Sequence, residues 1–195
     1  RFTQTTSETI RKVVHIGVGN IILLAWWFKI PTQIGVAASI FFSAIAFLSY
    51  YVPILPVINS VGRQSLGTFF YAVSFAILIA WFWPLQQPHH AVLGVLIMTW
   101  GDGLAAVVGQ RFGRHSYQLW GMKKSWEGSL AMLGTSLFLS GFILTAIQGW
   151  TWQIGLISLG IGAIATVLEA FSKLGIDNLT VPIGSAALSF LLTSP

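Results

Sequence analysis

Ala91-Val92-Leu93-Gly94-Val95-Leu96-Ile97-Met98-Thr99-Trp100-Gly101-Asp102-Gly103-Leu104-Ala105-Ala106-Val107-Val108 is an apolar run interrupted by one carboxylate. Its length approaches the ~20 residues a helix needs to cross a hydrocarbon layer. An Asp at the centre of such a helix costs roughly 2.5–3.5 kcal/mol on insertion scales, so its presence asks for a function. Outward from this run the pattern repeats: long apolar stretches alternate with short polar blocks. The whole chain has five acidic residues. The other four are Glu8, Glu127, Glu169 and Asp177, and each stands in a block with basic, Gly, Ser or amide neighbours.

With 55% hydrophobic and 8% charged residues, the chain lies far from the roughly 25% charged composition of soluble proteins. Too little polar surface is present to cover a water-soluble core. The expected fold is all-α: a polytopic integral membrane bundle, one domain over residues 1–195. The absence of cysteine excludes disulfides and Cys-ligated zinc or iron–sulfur centres. The net charge of +5 is spread between apolar runs rather than gathered in a soluble patch. That distribution argues against nucleic acid and for anionic headgroups or a phosphate-bearing ligand.

Hydropathy predicts seven helices, at about 8–28, 34–55, 66–83, 90–109, 128–147, 152–171 and 179–193. The first opens at a capping box, Thr5 with Glu8. Pro53 and Pro56 end or kink the second, and Pro182 lies near the start of the seventh. Seven crossings put Arg1, Arg11, Lys12, Arg63, Arg111, Arg114, Lys123, Lys124 and Lys173 on one face and Lys29 alone on the other. The positive-inside rule makes the rich face cytoplasmic, or stromal in a plastid. Trp26, Trp27, Trp81, Trp83, Trp150 and Trp152 fall at the opposite turns, where indole rings meet headgroups. All five acids lie on or near the basic face.

Glu8, Arg11, Lys12 and His15 share one helix face by their spacing. They read as an amphipathic entry turn, in which His15, two turns in, is either a hydrogen-bonded core histidine or a phosphate contact. Asp102 reads as a Mg²⁺ ligand or general base, or as a kink residue paired with a basic side chain. Its small neighbours, Gly109 among them, would admit a second helix or a ligand. The polar segment from Gln110 through Gly113, Gly121, Lys123, Lys124, Ser125, Glu127 and Gly128 offers charge, donors and backbone N–H groups suited to polyphosphate. It lacks the spacing of a Walker A loop, and an ordinary basic loop is its plain alternative. Glu169, Asp177 and Asn178 could complete an oxygen-rich Mg²⁺ site, or Asp177-Asn178 could cap the last helix. His89-His90, beside Pro88, reads as a loop.

These blocks resemble the CTP-dependent polyprenol kinase family: phytol, farnesol and dolichol kinases and CTP-dependent diacylglycerol kinases. The resemblance covers almost the whole chain. It rests on Glu8-x-x-Arg11-Lys12-x-x-His15, the Gly-Asp-Gly-Leu-Ala-Ala-Val-Val-Gly run over 101–109, Lys-Ser-Trp-Glu-Gly-Ser over 124–129, and Asp-Asn-Leu-Thr-Val-Pro over 177–182. Trp126 and the last of these blocks look most like the phytol kinases. Family members usually carry more chain before the first block, so an additional amino-terminal helix is expected in the family's fold.

The resemblance implies transfer of the γ-phosphate of CTP or UTP to a long-chain isoprenoid alcohol, dependent on Mg²⁺, within isoprenoid lipid metabolism such as tocopherol biosynthesis. It maps the nucleotide segment onto residues 101–128. Asp102, Lys124 and Glu127 become the expected catalytic residues. Arg11, Lys12, His15, Gly109, Gly113, Gly121, Lys123, Lys124, Ser125 and Gly128 become the expected nucleotide and phosphate contacts. Asp102 with Glu169, Asp177 and Asn178 is the expected metal set. The expected location is a bacterial inner or thylakoid membrane, or a plastid envelope. A CDP-lipid-forming cytidylyltransferase is the enzyme alternative, and a transporter or channel is the alternative from another class.

Overall fold

Helices rich in Leu, Ile, Phe and Val gain little from one another in hydrocarbon, so they associate where small residues let backbones approach. The computed structural model describes residues 13–51 and 66–194 and is built on that rule. Thr5, Glu8, Arg11, Lys12, Pro53, Pro56 and Arg63 lie outside the described residues. Among the described residues the helices are α1 (Val13–Trp27), α2 (Thr32–Tyr51), α3 (Gly67–Phe82) and α4 (Pro88–Phe112). They continue as α5 (Trp126–Gln148), α6 (Trp152–Ala170) and α7 (Asp177–Thr193). Helices α2, α4, α5 and α6 are long and apolar enough to cross a membrane. The chain is an all-α membrane protein, with one small hairpin between α4 and α5.

Helix α4 is the centre. Two thirds of its apolar window (67%) is buried inside the protein, against 17% for α2. Val92, Leu93, Val95, Ile97 and Met98 have no exposed surface. Gly94 lets α7 come close, since a Cβ there would overlap the Pro182 carbonyl oxygen. Pro182 itself sits inside α7. Between α5 and α6, Gly162 meets the Leu133 carbonyl, and Ser140 Oγ donates 2.6 Å to Ser136 O within its own helix. Such back-bonding satisfies hydroxyls where no water reaches. The outward faces stay apolar: Phe138, Phe142 and Leu156 are exposed, as lipid contact requires.

The last turn of α3 and the α1–α2 turn meet at one end of the bundle, where Trp83 Nε1 donates to Ile30 O at 3.1 Å. The carboxyl ends of α5 and α7 meet as well, with Gln148 Nε2 donating to Thr193 O at 3.3 Å. Two sequence expectations fail here. His89-His90 is not a loop: Pro88 occupies the first turn of α4, where its missing N–H costs nothing. His90 is consequently buried, its Nδ1 2.8 Å from Ser189 Oγ on α7. The segment after Phe112 is not an unstructured loop either. Ser116–Leu119 (β1) and Met122–Ser125 (β2) form an antiparallel hairpin. Trp120 and Gly121 take positive φ of 49° and 79° at its turn, the conformation that two-residue hairpin turns favour.

The α4–α7 contact gives a direct test of the packing. Gly94→Ala should destabilise the protein by about 1–3 kcal/mol, because the new methyl overlaps backbone that cannot move aside. Gly160→Ala, where a Cβ meets nothing within 4 Å, should be neutral or stabilising by up to about 1 kcal/mol. Thermal unfolding of both variants in the same detergent checks the contrast.

Candidate active site

The run that carries Asp102 remains helical throughout, yet it changes pitch. Residues Ile97–Asp102 form one π-helical turn inside α4, which widens the helix and re-aims the side chains that follow. On one side of this turn Thr99 Oγ1 lies 2.6 Å from the Tyr71 hydroxyl of α3. A Cβ at Gly19 of α1 would overlap both hydroxyls, so α1 can close on the turn only at a glycine. Trp100 Nε1 donates 3.3 Å to Asn20 Oδ1. On the other side Gly101 packs against Met132 of α5. Asp102 thus stands half-buried at the edge of a cleft of about 380 Å³.

The cleft lies between the carboxyl half of α4, the hairpin, the first turn of α5 and the end of α6. Among its walls are Asp102, Gly109, Lys123, Lys124, Ser125 and Glu169, with Gly113 and Gly128. The hairpin is held over it from several sides. Trp126 N donates to His115 O at 3.0 Å, Tyr117 Oη lies 2.6 Å from Ser129 Oγ, and Trp120 packs on Phe171, ring centroids 5.7 Å apart. Lys124 makes the deepest contact. Its Nζ is 2.5 Å from Glu169 Oε1, with the two side chains 18% and 11% exposed. The same ammonium also donates to the Glu169 backbone carbonyl. Glu169 is in the last turn of α6, so Lys124 neutralises both a carboxylate and the negative end of a helix. Removing one partner of such a buried pair generally costs about 3–5 kcal/mol.

The expected site residues divide. Asp102, Gly109, Gly113, Lys123, Lys124, Ser125, Gly128 and Glu169 all line the cleft. The glycines among them have a packing reason as well as an access reason. A Cβ on Gly109 would press on Ser125 Oγ at 3.0 Å, and one on Gly128 would meet Ala105 O at 2.9 Å. Ser125 is the N-cap of α5, its Oγ accepting from Gly128 N at 3.2 Å, while its own proton remains available to donate. Gly121 is at the hairpin turn, outside the cleft lining. Glu127 does not line the cleft; its carboxylate accepts from His115 N at 3.1 Å and lies 2.8 Å from His115 Nδ1, anchoring the base of the hairpin. His15 stacks on Tyr71, ring centroids 4.2 Å apart. Asp177 and Asn178 open α7: Asp177 N donates to Ser172 Oγ at 2.7 Å, and Asp177 Oδ1 accepts from Asn178 Nδ2 at 3.1 Å. Arg11 and Lys12 lie outside the described residues.

Gln110, which opens the polar segment, also lines the cleft, as do Ser116 and Ser129, which sequence reasoning did not single out as site residues. The hairpin was the missing step. Its signal was available in Ser-Tyr-Gln-Leu and Met-Lys-Lys-Ser flanking Trp120-Gly121, two short segments joined by a dipeptide with Gly in second place. Among the described residues no three His, Asp or Glu side chains converge as a metal cage. Asp102 and Glu169 in one cleft nevertheless fit Mg²⁺, which is commonly held by one or two carboxylates together with phosphate oxygens. The amino end of α5 adds a positive dipole end beside Lys124, an arrangement suited to an anion.

No family model matches the chain, and no solved structure does. Curated relatives do. A chloroplastic farnesol kinase of Arabidopsis thaliana is 27% identical over 209 residues, covering 95% of this chain and 66% of its own length. A probable chloroplastic phytol kinase of Triticum aestivum is 29% identical over 209 residues, 93% of this chain and 66% of its own. The chain therefore spans about two thirds of the plant relatives. A phytol kinase of Synechocystis sp. is 50% identical over 191 residues, 97% of this chain and 82% of its own length. With half of its residues shared along nearly its whole length, this chain belongs to the polyprenol kinase family, among the phytol kinases.

Proposed function

We propose that the protein is a lipid kinase that transfers the γ-phosphate of CTP or UTP to the hydroxyl of a long-chain isoprenoid alcohol such as phytol. The observation that carries this reading is the cleft itself, where Asp102, Lys124 and Glu169 meet the amino end of α5 at one end of an apolar bundle. Membership among the phytol kinases supports the alcohol as acceptor. The apolar helix faces suit an isoprenoid tail, and a hydroxyl held at the bundle end would reach the cleft without its tail leaving the lipid.

Phosphoryl transfer needs positioning and charge neutralisation more than covalent help from the protein. Asp102 and Glu169 would hold Mg²⁺, whose charge would offset that of the phosphates. Lys123 and Lys124 would grip the phosphate oxygens, with the positive dipole end of α5 beside them. The alcohol oxygen forms its bond to the γ-phosphorus as the bond from that phosphorus to the bridging oxygen breaks. The hydroxyl proton passes to an Asp102 oxygen, and the nucleoside diphosphate leaves with its negative charge against Lys124. The basic end of the bundle would face the cytoplasm or stroma, in keeping with the bias of Lys and Arg.

Three measurements test this. Asp102→Asn should stay folded while turnover falls by about 10²-fold or more, the scale of a positioned acid–base group; near-normal turnover per folded molecule would remove Asp102 from the chemistry. Purified protein given γ-labelled nucleotide and a panel of alcohols should label phytol or a similar prenol, with CTP or UTP exceeding ATP and excess chelator abolishing transfer. Because the chain has no cysteine, Lys29→Cys and Lys173→Cys can each be labelled alone with a membrane-impermeant maleimide. They should react from opposite sides of sealed vesicles, and reaction from one side would contradict the odd number of crossings.

A further inference from the structure

Lys124 and Glu169 are both wanted by the proposed reaction, one by phosphate and one by metal, yet they hold each other at 2.5 Å inside the cleft. With the pair closed, neither charge is on offer. A polyphosphate without a metal would have to pull Lys124 away and leave the Glu169 carboxylate beside it, largely shielded from water and repelling it, with Asp102 adding to the repulsion. A divalent cation without a polyphosphate would have to displace the ammonium and then face it. Either half-exchange strands one partner of a buried pair, the costly outcome for such pairs. A metal–polyphosphate complex avoids both: the cation takes the carboxylate, a phosphate oxygen takes the ammonium, and no buried charge is left alone. Lys123 cannot replace this selectivity, because it is exposed and water screens its charge.

We infer that Glu169 is a specificity-determining residue: through its pair with Lys124 it makes the cleft accept a nucleoside triphosphate only as the divalent-metal complex. The inference rests on the nucleotide reading of the cleft and adds to it a rule about which form of the nucleotide enters. Glu169 does this by exchange of partners, so its role differs from that of a ligand that merely adds affinity for the metal. A mere ligand, once neutralised, weakens the metal-bound complex and eases metal-free binding only by the repulsion it removes, as Asp102→Asn in the same cleft would. The exchange therefore requires a larger gain in metal-free binding for Glu169→Gln than for Asp102→Asn. An exchanging partner, once neutralised, frees Lys124 and strengthens metal-free binding.

The test measures CTP binding to purified protein without any alcohol present, in Mg²⁺ and in excess chelator, so that no turnover is read. In the wild type Mg²⁺ should tighten CTP binding by about tenfold or more, the scale set by an uncompensated buried charge. In Glu169→Gln, whose amide oxygen can still accept from Lys124, metal-free CTP should bind more tightly than to the wild type and the effect of Mg²⁺ should shrink. A second arm uses Mn²⁺ alone, followed by electron paramagnetic resonance: Lys124→Gln should bind it more tightly than the wild type does. Unfolding temperatures of both variants establish that they are folded, and if Lys124→Gln does not fold the Glu169 arm decides. Metal-free binding in Glu169→Gln that gains no more than in Asp102→Asn overturns the exchange while leaving the nucleotide reading intact. No binding of CTP or UTP to the wild type in either condition overturns both.

Discussion

Hydrocarbon offers no hydrogen bonds, and that constraint orders the rest of this molecule. Each spanning segment must satisfy its backbone internally, which makes helices the frame: seven of them among the described residues. Several buried hydroxyls turn back onto their own helices, as Ser140 does onto Ser136 O and Thr99 onto Val95 O. Helices meet where a glycine removes the side chain between them, as Gly94 does beneath Pro182 and Gly162 beside Leu133. Most ionisable side chains of the described residues lie at or beyond helix ends, Asp102 within α4 being an exception. The one described carboxylate that goes under, Glu169, does so only with Lys124 against it.

The site arises where this regular frame is broken in a controlled way. One π turn re-aims α4 at Asp102. A hairpin of two four-residue strands folds back across the helix ends, and its second strand delivers Lys124 to the last turn of α6. The first turn of α5 starts directly from that strand, with Ser125 as its cap. Three helix termini and a hairpin therefore share one small volume. A helix amino end and a lysine meet there with two carboxylates, so the cleft can take both signs of charge at once. A metal–phosphate complex presents the same combination.

Several residues that look chemical in the sequence also hold the fold together. Glu127 is next to the cleft in sequence, but in the first turn of α5 its carboxylate turns to His115 and fixes the hairpin base. Asp177 and Asn178 bond to each other at the opening of α7. Gly109 and Gly128 let α4 and α5 touch. Such residues shape the site through the elements they hold together.

The sequence by itself determined where the helices lie among the described residues, because hydropathy and span length are local properties read along one segment. Predicted bounds such as 152–171 against the observed Trp152–Ala170 differ by a residue. The four ordered motif blocks likewise made the family legible. His89-His90 opens a helix behind Pro88 instead of lying in a loop. The hairpin within the basic segment after Phe112 did not show because eight residues of strand are too short to stand out by composition. Only the tertiary structure decided that Lys124 pairs with Glu169, 45 residues away, and that Asp102 shares their cleft while Glu127 does not. Those facts depend on how helix ends are brought together and on which way a π turn and a hairpin aim their side chains. Contacts between distant segments are set by packing in three dimensions, and no local pattern in the chain encodes them.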